Sequence, residues 1–161
     1  YDSKAEITQG FFATVQNKLH FAIHGQTVAE LIAERAKAEK ENMGLTSWKG
    51  DKVRKGDVTV AKNYLSEKEL KSLNRIVTMY LDYAEDQAER QQPMHMSDWI
   101  DKLNAFLQFN DREILENAGK VSKAVADQLA IQEYEKFNQN RIVNKSNDDF
   151  ERFIENNNLR K

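Results

Sequence analysis

The stretch that decides the fold is EKELKSLNRIVTMYLDYAEDQAERQ, residues 67–91. At about 100° per residue, Leu70, Leu73, Val77, Tyr80, Leu81, Ala84 and Ala88 fall on one stripe of a helix. Ile76, Met79 and Tyr83 form a second stripe roughly 120° away. Lys71, Asn74, Arg75, Thr78, Asp82, Glu85 and Asp86 fill the remaining arc. Ser66 precedes Glu69 at capping-box spacing, so its hydroxyl can take an orphan N–H while the acid reaches back to the cap. A helix apolar over more than half its circumference buries two sides. The expectation is therefore an all-α fold with this helix at its centre. The second stripe, Ile76, Met79 and Tyr83, is alternatively a face for a homodimer or another partner.

On the N-terminal side, a helix over 4–24 places Ile7, Phe11, Val15, Leu19 and Ala22 on one arc, with Phe12 and Ile23 at its edge. Ser3 with Glu6 has capping-box spacing, and Gly25 suits the left-handed residue that ends a helix. Thr27 with Glu30 opens a second helix over 28–40, apolar at Val28, Leu31 and Ile32 and then nearly all charge and alanine. Its tail is expected to project into solvent.

On the C-terminal side Pro93 breaks the chain, and Ser97 caps a helix carrying Trp99, Leu103, Phe106 and Leu107. Asn110 with Glu113 is a weaker variant of the box, opening a short helix with Ile114 and Leu115 that stops at Gly119. From Ser122 a helix runs to about Asn140, burying Val125, Ala126, Leu129, Ala130, Tyr134 and Phe137. A last helix over 148–155 offers Phe150, Phe153 and Ile154 before the Asn156–Asn158 run frays. No internal repeat or low-complexity linker divides the chain, which reads as a single α-helical domain over residues 1–161.

Composition agrees. The 161 residues are 40% hydrophobic and 31% charged, a globular balance, with six glycines and one proline, too few for an all-β chain. The formal net charge of −2 argues against a wholly basic nucleic-acid coat. Zero cysteines exclude a disulfide framework, a thiolate zinc site and a cysteine nucleophile. No apolar run reaches the ~18–20 residues of a membrane span, and no signal peptide opens the chain, so the expectation is a cytoplasmic protein without a membrane partner. The first residue is Tyr1, which suits the C-terminal part of a longer protein.

Residues 42–65 do not read as helix. Gly44, Gly50 and Gly56 lie here with Lys49, Lys52, Arg54, Lys55 and Lys62 against Asp51 and Asp57, a net +3 over 44–62 that leaves −5 on the rest. The segment is either irregular or a small hairpin built on Val53, Val58 and Val60. Its functional reading is a glycine-hinged loop contacting phosphate, with Trp48 stacking on a base. The plainer reading is a surface turn with solvated lysines and Trp48 as its anchor. A Walker loop is excluded, because five residues separate Gly50 from Gly56 where that motif has four, and Asp57-Val58 follows where Lys-Ser/Thr is needed.

His20 and His24 share a helix face at a spacing zinc ligands use, but Phe21 stands where the metalloprotease pattern needs a glutamate. Without a third ligand the expectation is two boundary histidines making ordinary hydrogen bonds, with no metal and no cofactor. Residues 111–130 have a helix-turn-helix outline, yet Asp127, Glu133 and Glu135 follow Lys123, an acidic balance that phosphate repels. No nucleophile elbow, dinucleotide fingerprint or distinctive carboxylate pair is present, so catalytic residues are unassigned and the leaning is away from an enzyme.

The segments FFATVQNKLHFAIHGQTVAELI (11–32), NMGLTSWKGDKVRKGDVTVAKNYL (42–65), LNRIVTMYLDYAEDQA (73–88) and DWIDKLNAFLQFNDREILENAGKVSKAVADQLAIQEYEKF (98–137) resemble the virulence-associated RhuM family, and the string MGLTSWKG is the most distinctive. Longer members of that family carry an N-terminal DNA-binding region of helix-turn-helix character; what is matched here is the part after it. The resemblance implies a bacterial mobile-element or pathogenicity-island setting and a link to DNA through the full-length protein. It implies no reaction. Some related proteins join similar regions to a Fic-type AMP-transferring domain, but the His-Pro-Phe-x-Asp/Glu-Gly-Asn-x-Arg signature is absent, and that activity is not carried over.

Three functional readings follow. The first is an accessory module that dimerises or recruits a partner for a DNA-binding region. The second is a nucleic-acid contact domain working through Trp48, Lys49, Lys52, Arg54, Lys55 and Lys62. The third is an unrecognised enzyme with its site at the same loop.

Overall fold

The computed structural model describes residues 3–90, 95–117 and 119–158. Pro93, Tyr1 and the side chains of Ser3, Glu6 and Ile7 lie outside the described residues. Five helices are formed and no strand among the described residues: α1 (Ser3–His24), α2 (Val28–Arg35), α3 (Glu67–Glu89), α4 (Met96–Phe109) and α5 (Lys123–Asn158). The all-α expectation holds, and so does the irregular form of the insertion. Within that frame the deepest element is α2.

Helix α2 is short, but Val28, Ala29, Leu31 and Ile32 are all buried, enclosed by α1, α5 and the end of the insertion. Its start follows the expected capping box: the Thr27 hydroxyl accepts the Glu30 N–H at 3.2 Å and the Glu30 carboxylate accepts the Thr27 N–H at 3.3 Å. Gly25, at φ 75°, makes the turn before it by donating its N–H to the Phe21 carbonyl. The expected helical tail to residue 40 is corrected, because α2 ends at Arg35. Arg35 forks onto Glu69 at 2.7 and 2.8 Å and also donates to the Tyr64 carbonyl at 3.0 Å. The chain then folds back through Asn42 and Met43 at positive φ and Gly44 at φ 86°. A Cβ at Gly44 would stand 2.3 Å from the Arg35 carbonyl oxygen, so only glycine passes here.

Helix α3 packs along α1 and buries Leu73, Ile76 and Tyr80. The Tyr80 hydroxyl donates to the Trp99 carbonyl at 3.1 Å, and its ring packs against Trp99 and Phe106 of α4. About sixty degrees or less separates the three buried positions around the helix axis at about 100° per residue, so the two expected stripes merge into one face. Leu81 and Met79 fall on either side of it and are exposed.

Three boundaries differ from expectation. Helix α4 starts at Met96 with His95 as cap, the His95 N–H bonding the Asp98 carboxylate at 3.0 Å, so Ser97 lies inside the helix. Asn110 closes α4 by donating to the Phe106 carbonyl at 2.8 Å instead of opening a new helix. No helix forms over 111–117, and the helix-turn-helix outline disappears with it. Tertiary contacts explain the difference: Lys18 Nζ donates to the Leu115 carbonyl at 2.6 Å, and Gly119, at φ 84°, crosses so close to the α2 cap that a Cβ would meet Thr27 Cγ2 at 2.7 Å.

The two C-terminal helices expected at 122–140 and 148–155 are one continuous helix, which runs through Asn156–Asn158 without fraying. Ala126 and Ala130 face α2, while Val125 and Leu129, about 100° further round, are exposed and not buried as expected.

Candidate functional site in the basic insertion

Between α2 and α3 the chain makes three single 3₁₀ turns, Glu41–Gly44, Lys55–Asp57 and Ala61–Tyr64. The hairpin alternative is not formed; Val53 and Val58 point into the core instead of pairing as strands. Asp57 organises the middle turn. Its carboxylate is buried and accepts the backbone N–H of Lys49 at 3.1 Å and of Arg54 at 2.9 Å. Asn63 returns a side-chain N–H to the Asp57 carbonyl at 3.0 Å, and the Tyr64 hydroxyl donates to the Val58 carbonyl at 2.6 Å. Burial lifts the Tyr64 phenol well above its usual range, so it stays a donor.

In the sequence Asp57 reads as a countercharge; in the fold it sets the loop's shape. The readable part was the Asp three residues after Arg54, at capping-box spacing; the bond to the Lys49 N–H spans eight residues and carried no local signal. Arg141 of α5 carried no such signal. It donates to the Val53 carbonyl at 3.0 Å and to Asn138 at 2.9 Å, with its guanidinium 4.5 Å from the Phe137 ring centre. Lys123 likewise reaches the Thr59 carbonyl at 2.9 Å. The insertion is thus clamped to α5 at two points.

Lys49, Lys52, Arg54 and Lys55 are exposed around this turn, and Arg54 has Asp51 3.5 Å away. Lys62 is exposed too, but it borders the α1–α3 cleft beside Phe12, Val15, Leu73 and Val77, apart from the other four. Trp48 is half-buried and packs on the core, as do Met43 and Leu45 from the same MGLTSWKG string.

The face proposed from the α3 stripe does not assemble as a unit. Ile76 is 3% exposed and belongs to the core, Met79 is exposed, and Tyr83 is half-buried with its ring stacked on Tyr80. The cause is angular: Ile76 lies within about 60° of Leu73 and Tyr80 around the helix axis and is buried with them.

His20 and His24 also differ from expectation. His20 is 1% exposed, a core residue and not a boundary one, and its Nδ1 lies 3.0 Å from His24 Nε2. His20 Nε2 and His24 Nδ1 are buried without a hydrogen-bond partner. Burial first, then His24 and Lys62, push the His20 pKa down to about 4, so the pair is neutral at pH 7. Among the described residues no group of three His, Asp or Glu side chains is arranged to hold a metal. No helix among them is long and apolar enough to cross a membrane. A cleft of about 370 Å³ lies beside Lys18, Thr14, Asn17 and Glu116, on the α1 side and away from Trp48.

A family model described as the virulence protein RhuM family matches residues 1–145. The chain belongs to that family. No curated protein and no solved structure gives a significant match.

Proposed function

We propose that this domain is a non-catalytic accessory module of a DNA-associated RhuM protein, serving to dimerise or to recruit a partner. The observation that carries the reading is the distribution of exposed apolar side chains. Five of them, Ile142, Val143, Phe150, Phe153 and Ile154, lie on the outer part of α5, where no residue is buried. Large apolar side chains grouped on a projecting element favour association over chemistry.

A second reading rests on the insertion. Lys49, Lys52, Arg54 and Lys55 surround a turn held rigid by Asp57, an arrangement that can meet several phosphates without paying for loop ordering. Titrating duplex DNA and single strands against the domain across a salt series separates the two. Under the accessory reading no binding is measured at roughly 50 mM salt. Under the nucleic-acid reading, alanine at those four positions weakens binding and flattens the slope of log affinity against log salt. On duplex DNA the slope falls by about 0.9 for each phosphate that is no longer neutralised. Trp48→Ala then distinguishes stacking from anchoring: anchoring lowers thermal stability, whereas stacking lowers single-strand affinity with the fold intact.

A further inference from the structure

We propose that the outer part of α5 pairs in antiparallel register with the same helix of a second copy of this chain. The inference rests on the accessory-module reading and names its partner. Helix α5 spans about 54 Å at its usual rise, and its last anchor to the body is Arg141. Beyond that point about 25 Å of helix carries no buried residue, although Phe150 and Phe153 are each 63% exposed. A solitary helix of that length is marginal in water. At about 100° per residue, Val143, Ser146, Phe150, Phe153 and Ile154 share one stripe, repeating at heptad-like intervals. The stripe lies opposite the side on which Ala130, Tyr134 and Arg141 meet the body, so a second helix can lie on it unobstructed.

Charge selects the partner and its direction. Residues 141–147 carry Arg141 and Lys145 and no acid, whereas 148–155 carry Asp148, Asp149, Glu151 and Glu155 against Arg152. A parallel copy would set like charge against like. A reversed copy centred on Asp148 sets the basic half of each helix against the acidic half of the other. That register also matches the apolar residues: Ile142 lies level with Ile154 of the second copy, Val143 with its Phe153, and Ser146 with its Phe150. Lys145 comes level with Glu151, and Asp148 at the centre points away from the stripe. An unrelated partner would need none of this internal symmetry.

Sedimentation of the full 161-residue chain from about 5 to 200 µM is expected to show a reversible dimer. Phe150→Ser combined with Phe153→Ser should raise its dissociation constant at least about tenfold, with the body still folded, read as an unchanged melting temperature at concentrations where both proteins are monomeric. The chain has no cysteine, so Val143→Cys and Phe153→Cys proteins mixed and oxidised report direction, with the mixed disulfide expected to dominate. A wild-type chain that stays monomeric overturns the proposal, as does a dimer that survives the double serine change. Disulfides formed only between identical variants overturn the antiparallel register. Nucleic-acid binding by the domain would instead remove the accessory reading, so the two failures are distinguishable.

Discussion

Helices α2 and α5 are opposites. The first has eight residues, four of them buried, and the second has 36, two of them buried. Helix α2 is too short to be stable alone and exists because α1, α5 and the insertion close around it. Helix α5 starts with the same kind of support and then continues about 25 Å past it. Burial, more than length or intrinsic propensity, decides which helix the fold depends on. The insertion belongs with α2 in this respect: although it lacks regular structure, Met43, Val53, Val58, Tyr64 and Leu65 are buried.

The contrast breaks most directly at Leu31. Leu31→Ala, at a position with no exposure, should cost about 2–5 kcal/mol in chemical denaturation. Leu73→Ala in the α1–α3 seam should cost a similar amount, about 2–5 kcal/mol. A loss below about 1 kcal/mol at Leu31 would mean that α2 is not the centre of the core.

Acid tests the same region from another side. His20 holds its proton less tightly folded than unfolded, about 4 against 6.5, so protons favour the unfolded chain between those values. Stability is therefore fully present above pH 6.5 and falls as pH drops toward and below 4, by about 3 kcal/mol in all. Glu69, held near 2 chiefly by the Arg35 hydrogen bonds, contributes stability that is lost only below its ordinary value of 4.5. A melting-temperature profile from pH 7 to 5 consequently reports on the histidines, and His20→Asn should flatten it.

Within the insertion, Asp57→Ala leaves the Lys49 and Arg54 amides without their acceptor and should cost about 1–3 kcal/mol. Hydrogen exchange should then rise first over residues 49–57. A change confined to α3 would show that the loop is held by something other than Asp57. The smallest effect belongs to α5: Phe150→Ala should shift monomer stability by less than about 0.5 kcal/mol, in line with its exposure. A large loss there would place the outer helix in the core.

Much of this structure was legible in the residues. The Thr27 and Ser66 boxes, the Gly25 turn, and the burial of Leu73 and Tyr80 follow from local chemistry and from a periodicity that needs no knowledge of neighbours. The basic character of 49–55 was legible for the same reason. Segments whose conformation is set at a distance were not. Residues 111–117 have acceptable helix composition, but the Lys18 bond to Leu115 and the passage of Gly119 over Thr27 tie that region down in a non-helical path. Met43 adopts a left-handed conformation unfavourable for its side chain because burial of that side chain offsets the strain.

The all-α class and the location of the irregular basic segment could be read from the residues alone, because helical period, caps and glycine content are local properties; the family was legible only as a resemblance carried by strings such as MGLTSWKG. Other features exist only in the assembled chain: α2 is the deepest helix, Asp57 and Arg141 shape the insertion, Ile76 is core and not surface, and α5 runs unbroken beyond the body. Each of those depends on which surfaces meet. A pattern of apolar residues says that a face must be covered; only the folded arrangement shows whether anything covers it.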